Sequence, residues 1–112
     1  MNVPPRTGFI HMVYFYLRDD AQPSDAERLI QGCRKHLTNI PGVLHLEAGI
    51  PAGTPRAVVD NTYGVGLLVE LVDTAAHEVY QDHPDHLKFI EEFKSLWSRV
   101  QVYDTLVPGA TL

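Results

Sequence analysis

A phenol and two imidazoles fall within one short stretch of this chain, Tyr80-Gln81-Asp82-His83-Pro84-Asp85-His86. A neutral imidazole can remove a proton near pH 7. A phenol can donate a hydrogen bond to the oxygen that turns negative as the proton leaves. Together they suit proton abstraction next to a carbonyl, followed by aldol closure, cleavage or isomerisation. That chemistry requires no metal and no organic cofactor.

Helical phase says which of the three point inward. Proline is favoured at the first position of a helix, so Pro84 opens one, read here to about Ser98. At about 100° per residue, Leu87, Phe89, Ile90, Phe93, Leu96 and Trp97 fill one arc with His86 near its middle. Lys88, Glu91, Glu92, Ser95 and Ser98 fill the other side. His86 is therefore expected to face the core, and His83, beside the proline, to cap the helix. Tyr80 belongs to the preceding helix, and the break at His83-Pro84 brings its phenol toward His86. Tyr80 and His86 are thus the candidate catalytic pair. His11, Val13, Phe89, Phe93 and Asp104 are the candidate binding residues around it. Asp104 is expected either to hydrogen-bond His11 or His86, or simply to mark the end of its strand. Burial and the helix dipole favour a neutral His86, while Asp82 and Asp85 favour a charged one, so the sign of its shift stays open at this level. The structural alternative is equally concrete: a histidine bonded to backbone at a helix start, a tyrosine ring filling the core, and a satisfied core histidine at His11.

Other reactive residues have quieter expectations. Cys33 has no basic neighbour on its helix face and reads as inert packing. His36, His45 and His77 lack ligand spacing and read as surface or edge residues. Asp82, His83, Asp85 and His86 are adjacent without a second cluster, so no metal site is expected from them. Arg56 and Asp60, in an irregular segment, are expected either to line a site mouth or to form an ion pair, the commoner arrangement.

These side chains need a scaffold. Gly8 to Leu17 reads as a strand, with Phe9, His11, Val13, Phe15 and Leu17 on one face and Ile10, Met12, Tyr14 and Tyr16 on the other. Ser24 and Glu27 have capping-box spacing ahead of a helix through Ala26, Leu29, Ile30, Cys33 and Leu37, which stops near Asn39 before Pro41-Gly42. Val43 to Ile50 reads as a second strand and Thr62 to Leu71 as a third, whose Gly64 and Gly66 leave room for a close neighbour. Asp73-Thr74 caps a short helix with Ala75, Ala76, Val79 and Tyr80 inward. Val100 to Val107 is the last strand. The order β-α-β-β-α-α-β is ferredoxin-like: an α+β protomer whose antiparallel sheet carries helices on one face. Residues 8–107 form one domain, with tails at 1–7 and 108–112. The helix-free face is apolar enough to call for a cover. A homodimer through that face, closing a two-subunit α/β barrel, is the expected solution.

The 112 residues suit a single core. Hydrophobic residues make up 45% and charged residues 21%, with a formal charge of −5 and no basic run. This argues against nucleic-acid and anionic-membrane partners. One cysteine excludes an internal disulfide. No apolar run is long enough to span a bilayer and no signal-like segment opens the chain, so a cytoplasmic location is the default expectation.

The strand around His11, the Ile40-Pro41-Gly42 turn, the Y-Q-D-H-P-D-H-L-K-F block and the closing Trp97-Ser-Arg-Val-Gln-Val-Tyr-Asp104 resemble the stress-responsive A/B-barrel domain family over roughly Gly8 to Val107. The H-P-x-H block is the specific part. The resemblance implies a dimeric barrel of ferredoxin-like protomers. It extends distantly to the family's plant polyketide cyclase, olivetolic acid cyclase, whose Tyr-His pair performs an intramolecular aldol cyclisation and matches Tyr80 and His86 here. A third histidine of that site matches His11. Two pocket positions depart from it: a histidine of the cyclase falls at Val65 and a tyrosine at Cys33. Three functions follow as expectations. The first is a cofactor-free cyclase, lyase or isomerase binding a small, mostly apolar ligand. The others are a non-catalytic dimeric stress-associated or structural protein, and a small α+β-barrel monooxygenase suggested by fold alone.

Overall fold

Aromatic and β-branched residues make Phe9–Leu17 a strand, β1, with its odd-numbered face buried through Phe15 and its even-numbered face half-buried. The computed structural model describes residues 6–109. Within them the other elements are α1 (Pro23–Leu37), β2 (Val43–Gly49), β3 (Val65–Leu71), α2 (Thr74–Asp82), α3 (Pro84–Phe93), a 3-10 turn at Lys94–Leu96 and β4 (Trp97–Leu106). The sheet order is β2-β3-β1-β4, antiparallel throughout, which is the ferredoxin-like arrangement expected. Parts of the expected tails, residues 1–5 and 110–112, lie outside the described residues.

The core lies between the helices and one sheet face. Phe9, Val13 and Phe15 of β1 meet Val65, Leu67, Val69 and Leu71 of β3, with Leu29, Cys33 and Leu37 of α1 above them. Gly32 allows a close approach between helices: a Cβ there would sit 2.3 Å from the Phe93 ring, so α1 and α3 pack through a missing side chain. Gly42 has φ +91° in the turn after α1, and a Cβ on it would also strike Ala76.

Several boundaries differ from expectation, each for a local reason. Helix α1 begins at Pro23, with Gln22 as its N-cap, so the capping partner is not the Ser24–Glu27 pair. The Gln22 N–H donates to Asp25 Oδ2 at 2.9 Å, and the fixed φ of Pro23 suits the first helical position. Helix α3 stops at Phe93 rather than Ser98, because β1 recruits the residues that follow. Trp97 pairs with Leu17, Arg99 with Tyr16, and the Arg18 N–H donates to the Leu96 carbonyl at 3.0 Å. The same recruitment lengthens β4 at its start. With α3 shortened, its buried stripe runs through Phe89 and Phe93, flanked by half-buried His86 and Ile90, and Leu87 is left 54% exposed.

Helix α2 is rotated from the expected phase. Asp73 caps it as anticipated, accepting from the Ala76 N–H at 2.8 Å. The buried residues are His77 and Tyr80, while Val79 is 52% exposed and Ala75 is exposed. His77 goes inward because Phe9 offers a flat ring at 4.2 Å, stacked within 16°. Asp60 also departs from expectation: its carboxylate accepts from the Thr62 backbone N–H and hydroxyl, and it forms no ion pair with Arg56 among the described residues.

Candidate functional site

One end of the helix–sheet interface is not filled. A cavity of about 310 Å³ opens between α2, α3 and the β1–β4 pair. Its origin is visible in the strand register. Antiparallel pairing sets His11 beside Asp104, Val13 beside Val102 and Phe15 beside Val100. Strand β4 is the sheet edge, and α2 and α3 do not close over it, so Val100, Val102 and Asp104 remain partly open to solvent.

Six of the seven residues singled out from the sequence line this cavity: His11, Val13, Tyr80, His86, Phe89 and Asp104. Phe93 does not. It sits one helical turn too far along α3, and its ring fills the notch at Gly32 and lies 6.1 Å from His36. The lining residues not singled out as site candidates include His77, Gln81 and Trp97, beside apolar wall residues such as Phe15, Val100 and Val102. His77 is buried, against the expectation of a surface position; its spacing of three from Tyr80 was the available signal. His36 is mostly covered and pairs with Glu92 at 2.8 Å, whereas His45 is half-exposed.

The side chains are held from behind. His11 Nδ1–H donates to Asp104 Oδ1 at 2.6 Å, which resolves the role left open for Asp104 and leaves Nε2 of His11 free of that bond. The Asp104 Oδ2 lies 3.8 Å from His77 Nε2. The rings of His11 and His77 are 4.9 Å apart, those of His11 and Tyr80 5.5 Å, and those of Tyr80 and His86 4.8 Å. A phenol and three imidazoles thus stand in one continuous cluster with a single carboxylate at its edge.

His86 is anchored across the helix break. Its Nδ1–H donates to the Gln81 carbonyl at 3.0 Å, so in the neutral ring Nε2 carries the free lone pair. Burial lowers its pKa most, and the nearby His11 and His77 add to this. The Gln81 carbonyl and Asp82 work in the opposite direction without reversing it. The sign that the sequence left open is therefore downward. His77 is lowered too, first by burial and then by His11. Burial drives the Tyr80 phenol above its ordinary value, with the Cys33 thiol contributing. Tyr80 is 1% exposed, and its hydroxyl makes no hydrogen bond to a protein group among the described residues. Since no buried side-chain oxygen or nitrogen among those residues lacks a partner, this oxygen keeps its small accessibility at the cavity wall. Cys33 is buried and its thiol is pushed up to about 12, as suits inert packing.

His83 is the cap anticipated. Its backbone ends α2, donating to the Tyr80 carbonyl at 3.3 Å, and its Nδ1 accepts from the Asp85 N–H at 3.0 Å. One residue thereby fixes the angle between the helix that carries Tyr80 and the helix that carries His86.

Comparison with known proteins bears on what this arrangement belongs to. A protein of unknown function from Thermobifida fusca, described as a dimeric ferredoxin-like protein, superposes with a TM-score of 0.76 at 20% identity, over 91% of this chain and 92% of its own. A ferredoxin-like protein of the Dabb family from Mesorhizobium loti is 29% identical, with a TM-score of 0.71, over 91% of this chain and 99% of its own. A hydroxynitrile lyase from Passiflora edulis superposes with a TM-score of 0.76 at 14% identity, over 95% of this chain and 97% of its own. No curated protein sequence matches. The family model for the stress responsive A/B barrel domain matches residues 9–107, from the first residue of β1 to just past the last of β4. With nearly all of its length accounted for by that model, the chain belongs to the stress-responsive A/B barrel domain family.

Proposed function

We propose that this protein is a cofactor-free acid–base enzyme, a lyase, cyclase or isomerase, acting on a small, mostly apolar carbonyl compound. The observation that carries this reading is the convergence of Tyr80, His86 and the Asp104-backed His11 on one ligand-sized cavity walled by Val13, Phe15, Phe89, Val100 and Val102. In the reading, His86 Nε2 takes the proton next to the carbonyl, because its other nitrogen is held by Gln81 and burial keeps the ring neutral. The Tyr80 hydroxyl donates to the carbonyl oxygen as it gains charge. Its raised pKa keeps it a donor rather than a base. The His86 imidazolium then returns the proton to product and reverts to the neutral ring, while His11, oriented by Asp104, accepts a hydrogen bond from the substrate at its free Nε2. A hydroxynitrile lyase with the same fold is in keeping with a lyase among the three outcomes.

Thermal-shift screening with small aromatic and aliphatic ketones and aldehydes tests the site. A compound that raises the midpoint of the wild type, but not of Tyr80→Phe or His86→Ala, is the expected result. Equal stabilisation of all three proteins would remove the pair from the site.

The working unit in this proposal is a homodimer joined through the helix-free sheet face. Ile10, Met12, Tyr14 and Tyr16 are half-buried there, and Tyr14 stands between Tyr63 at 4.7 Å and Tyr103 at 6.2 Å. Tyr103 is 60% exposed in the single chain. An aromatic patch of this kind favours a partner, and the Thermobifida relative is described as dimeric.

A non-catalytic role is the second reading. It is favoured by the two backbone bonds that His83 and His86 make at the helix break, which would organise α2 and α3 even without a substrate.

A further inference from the structure

The proposed reaction uses His86, Tyr80 and His11, and leaves His77 without a task. His77 is buried, and together with His11 and Asp104 it offers three ligand atoms that all lie within 4.8 Å of one another. We propose that His11, His77 and Asp104 form a binding site for a divalent transition-metal ion of the zinc class.

Two imidazole nitrogens and one carboxylate oxygen are the ligand types that borderline ions such as Zn²⁺ select, in preference to the all-oxygen sets of Mg²⁺ and Ca²⁺. Three protein ligands with a cavity on the fourth side match an open site that keeps a position for water or substrate. The ligands are also drawn from independently held elements. His11 is on central strand β1, His77 is fixed on α2 by its stack on Phe9, and Asp104 is on edge strand β4. Zinc bonds of about 2.0–2.2 Å set tetrahedral ligand atoms farther apart than the 2.6 Å between His11 Nδ1 and Asp104 Oδ1. Metal entry therefore opens that hydrogen bond, and Asp104, on the exposed edge, is the member free to move. Among the described residues, the sequence-adjacent set Asp82, His83, Asp85 and His86 does not bring three ligand atoms together as His11, His77 and Asp104 do.

The site shares His11 with the acid–base reading but does not depend on it. Bound zinc would take up His11 and Asp104 and deny them to the substrate, so the two states exclude each other at this cavity and the ion would act as an inhibitor of the proposed reaction. Isothermal titration of the full chain with zinc chloride decides the matter. One ion per chain is expected for the wild type, and Asp104→Ala and His77→Ala should each weaken binding about tenfold or more. His45→Ala and His36→Ala, which remove imidazoles outside the cluster that pair with Glu47 and Glu92, should leave affinity within about twofold, as should Tyr80→Phe. No uptake by the wild type overturns the proposal, and so does unchanged affinity in Asp104→Ala. The latter variant decides even where loss of the Phe9 stack prevents His77→Ala from folding. Because Tyr80→Phe abolishes the expected ligand response but not zinc uptake, failure of one reading is distinguishable from failure of the other.

Discussion

At the residue level, burial biases two imidazoles near the α2–α3 break, His77 and His86, toward the neutral form. His77 and His86 both have lowered pKa values in the fold, burial being the leading cause. In the unfolded chain a histidine titrates at about 6.5. As pH falls below that value the unfolded chain takes up protons that the fold resists, so stability is lost through a window running from about 6.5 down to the lower folded-state values. Above that window the contribution is complete. The thermal midpoint should therefore drop between about pH 7.5 and about pH 5.5, and it should drop less in His86→Gln or His77→Gln. A wild type whose midpoint changes no more than these variants would contradict the assigned direction. In the helical phase of 84–98, His86 was legible as an inward residue. His77 was not, because a short helix with alanines and a valine around it has more than one plausible inward face. The Phe9 ring selected the one that buries the imidazole.

At the scale of elements, close packing reverses an ordinary preference. Gly to Ala in a helix interior normally stabilises by about 1 kcal/mol. At Gly32 the added methyl would meet the Phe93 ring at 2.3 Å, so Gly32→Ala is expected to destabilise by about 1–3 kcal/mol in denaturant melts, the range for overpacked sites. A gain in stability would show that α1 and α3 separate easily. The cap of α2 should follow the usual rule: Asp73→Ala removes the acceptor of the Ala76 N–H and should cost about 1 kcal/mol. His83 joins two helices through its backbone and its ring, so His83→Ala should lower stability and also weaken any Tyr80- and His86-dependent ligand response. Retention of that response at full strength would mean that the break angle does not depend on the cap. Helix α3 could not be bounded from its own residues, since Ser95 to Ser98 continue a credible helical pattern. Pairing with β1 turned them into a 3-10 turn and the start of β4.

For the whole molecule, the sheet has two different faces, and only one is covered by helices of the same chain. Sedimentation at micromolar concentration should give a dimer, and Tyr14→Glu should give a folded monomer, since it puts a charge among Tyr63 and Tyr103. A monomeric wild type would sink the proposed assembly. No helix among the described residues is long and apolar enough to cross a membrane. The cavity lies at the opposite side of the sheet from this aromatic face. A monomeric Tyr14→Glu that keeps its ligand response would place the whole site within one chain.

The order of elements, the two faces of β1, the helix break at Pro84 and the inward pair Tyr80 and His86 are all legible along the chain, because each rests on local periodicity or on proline and capping chemistry. That Asp104 backs His11 emerges from the folded sheet alone. Their 93-residue separation is closed by the β1–β4 register, which no local pattern states. The tertiary structure likewise brought His77 into the cluster and sent Phe93 away from it. Both outcomes depend on where a neighbouring element presents a ring or a missing side chain. The Tyr80 and His86 side chains first read in Tyr80-Gln81-Asp82-His83-Pro84-Asp85-His86 thus form one wall of a cavity whose other wall is supplied by β1 and β4.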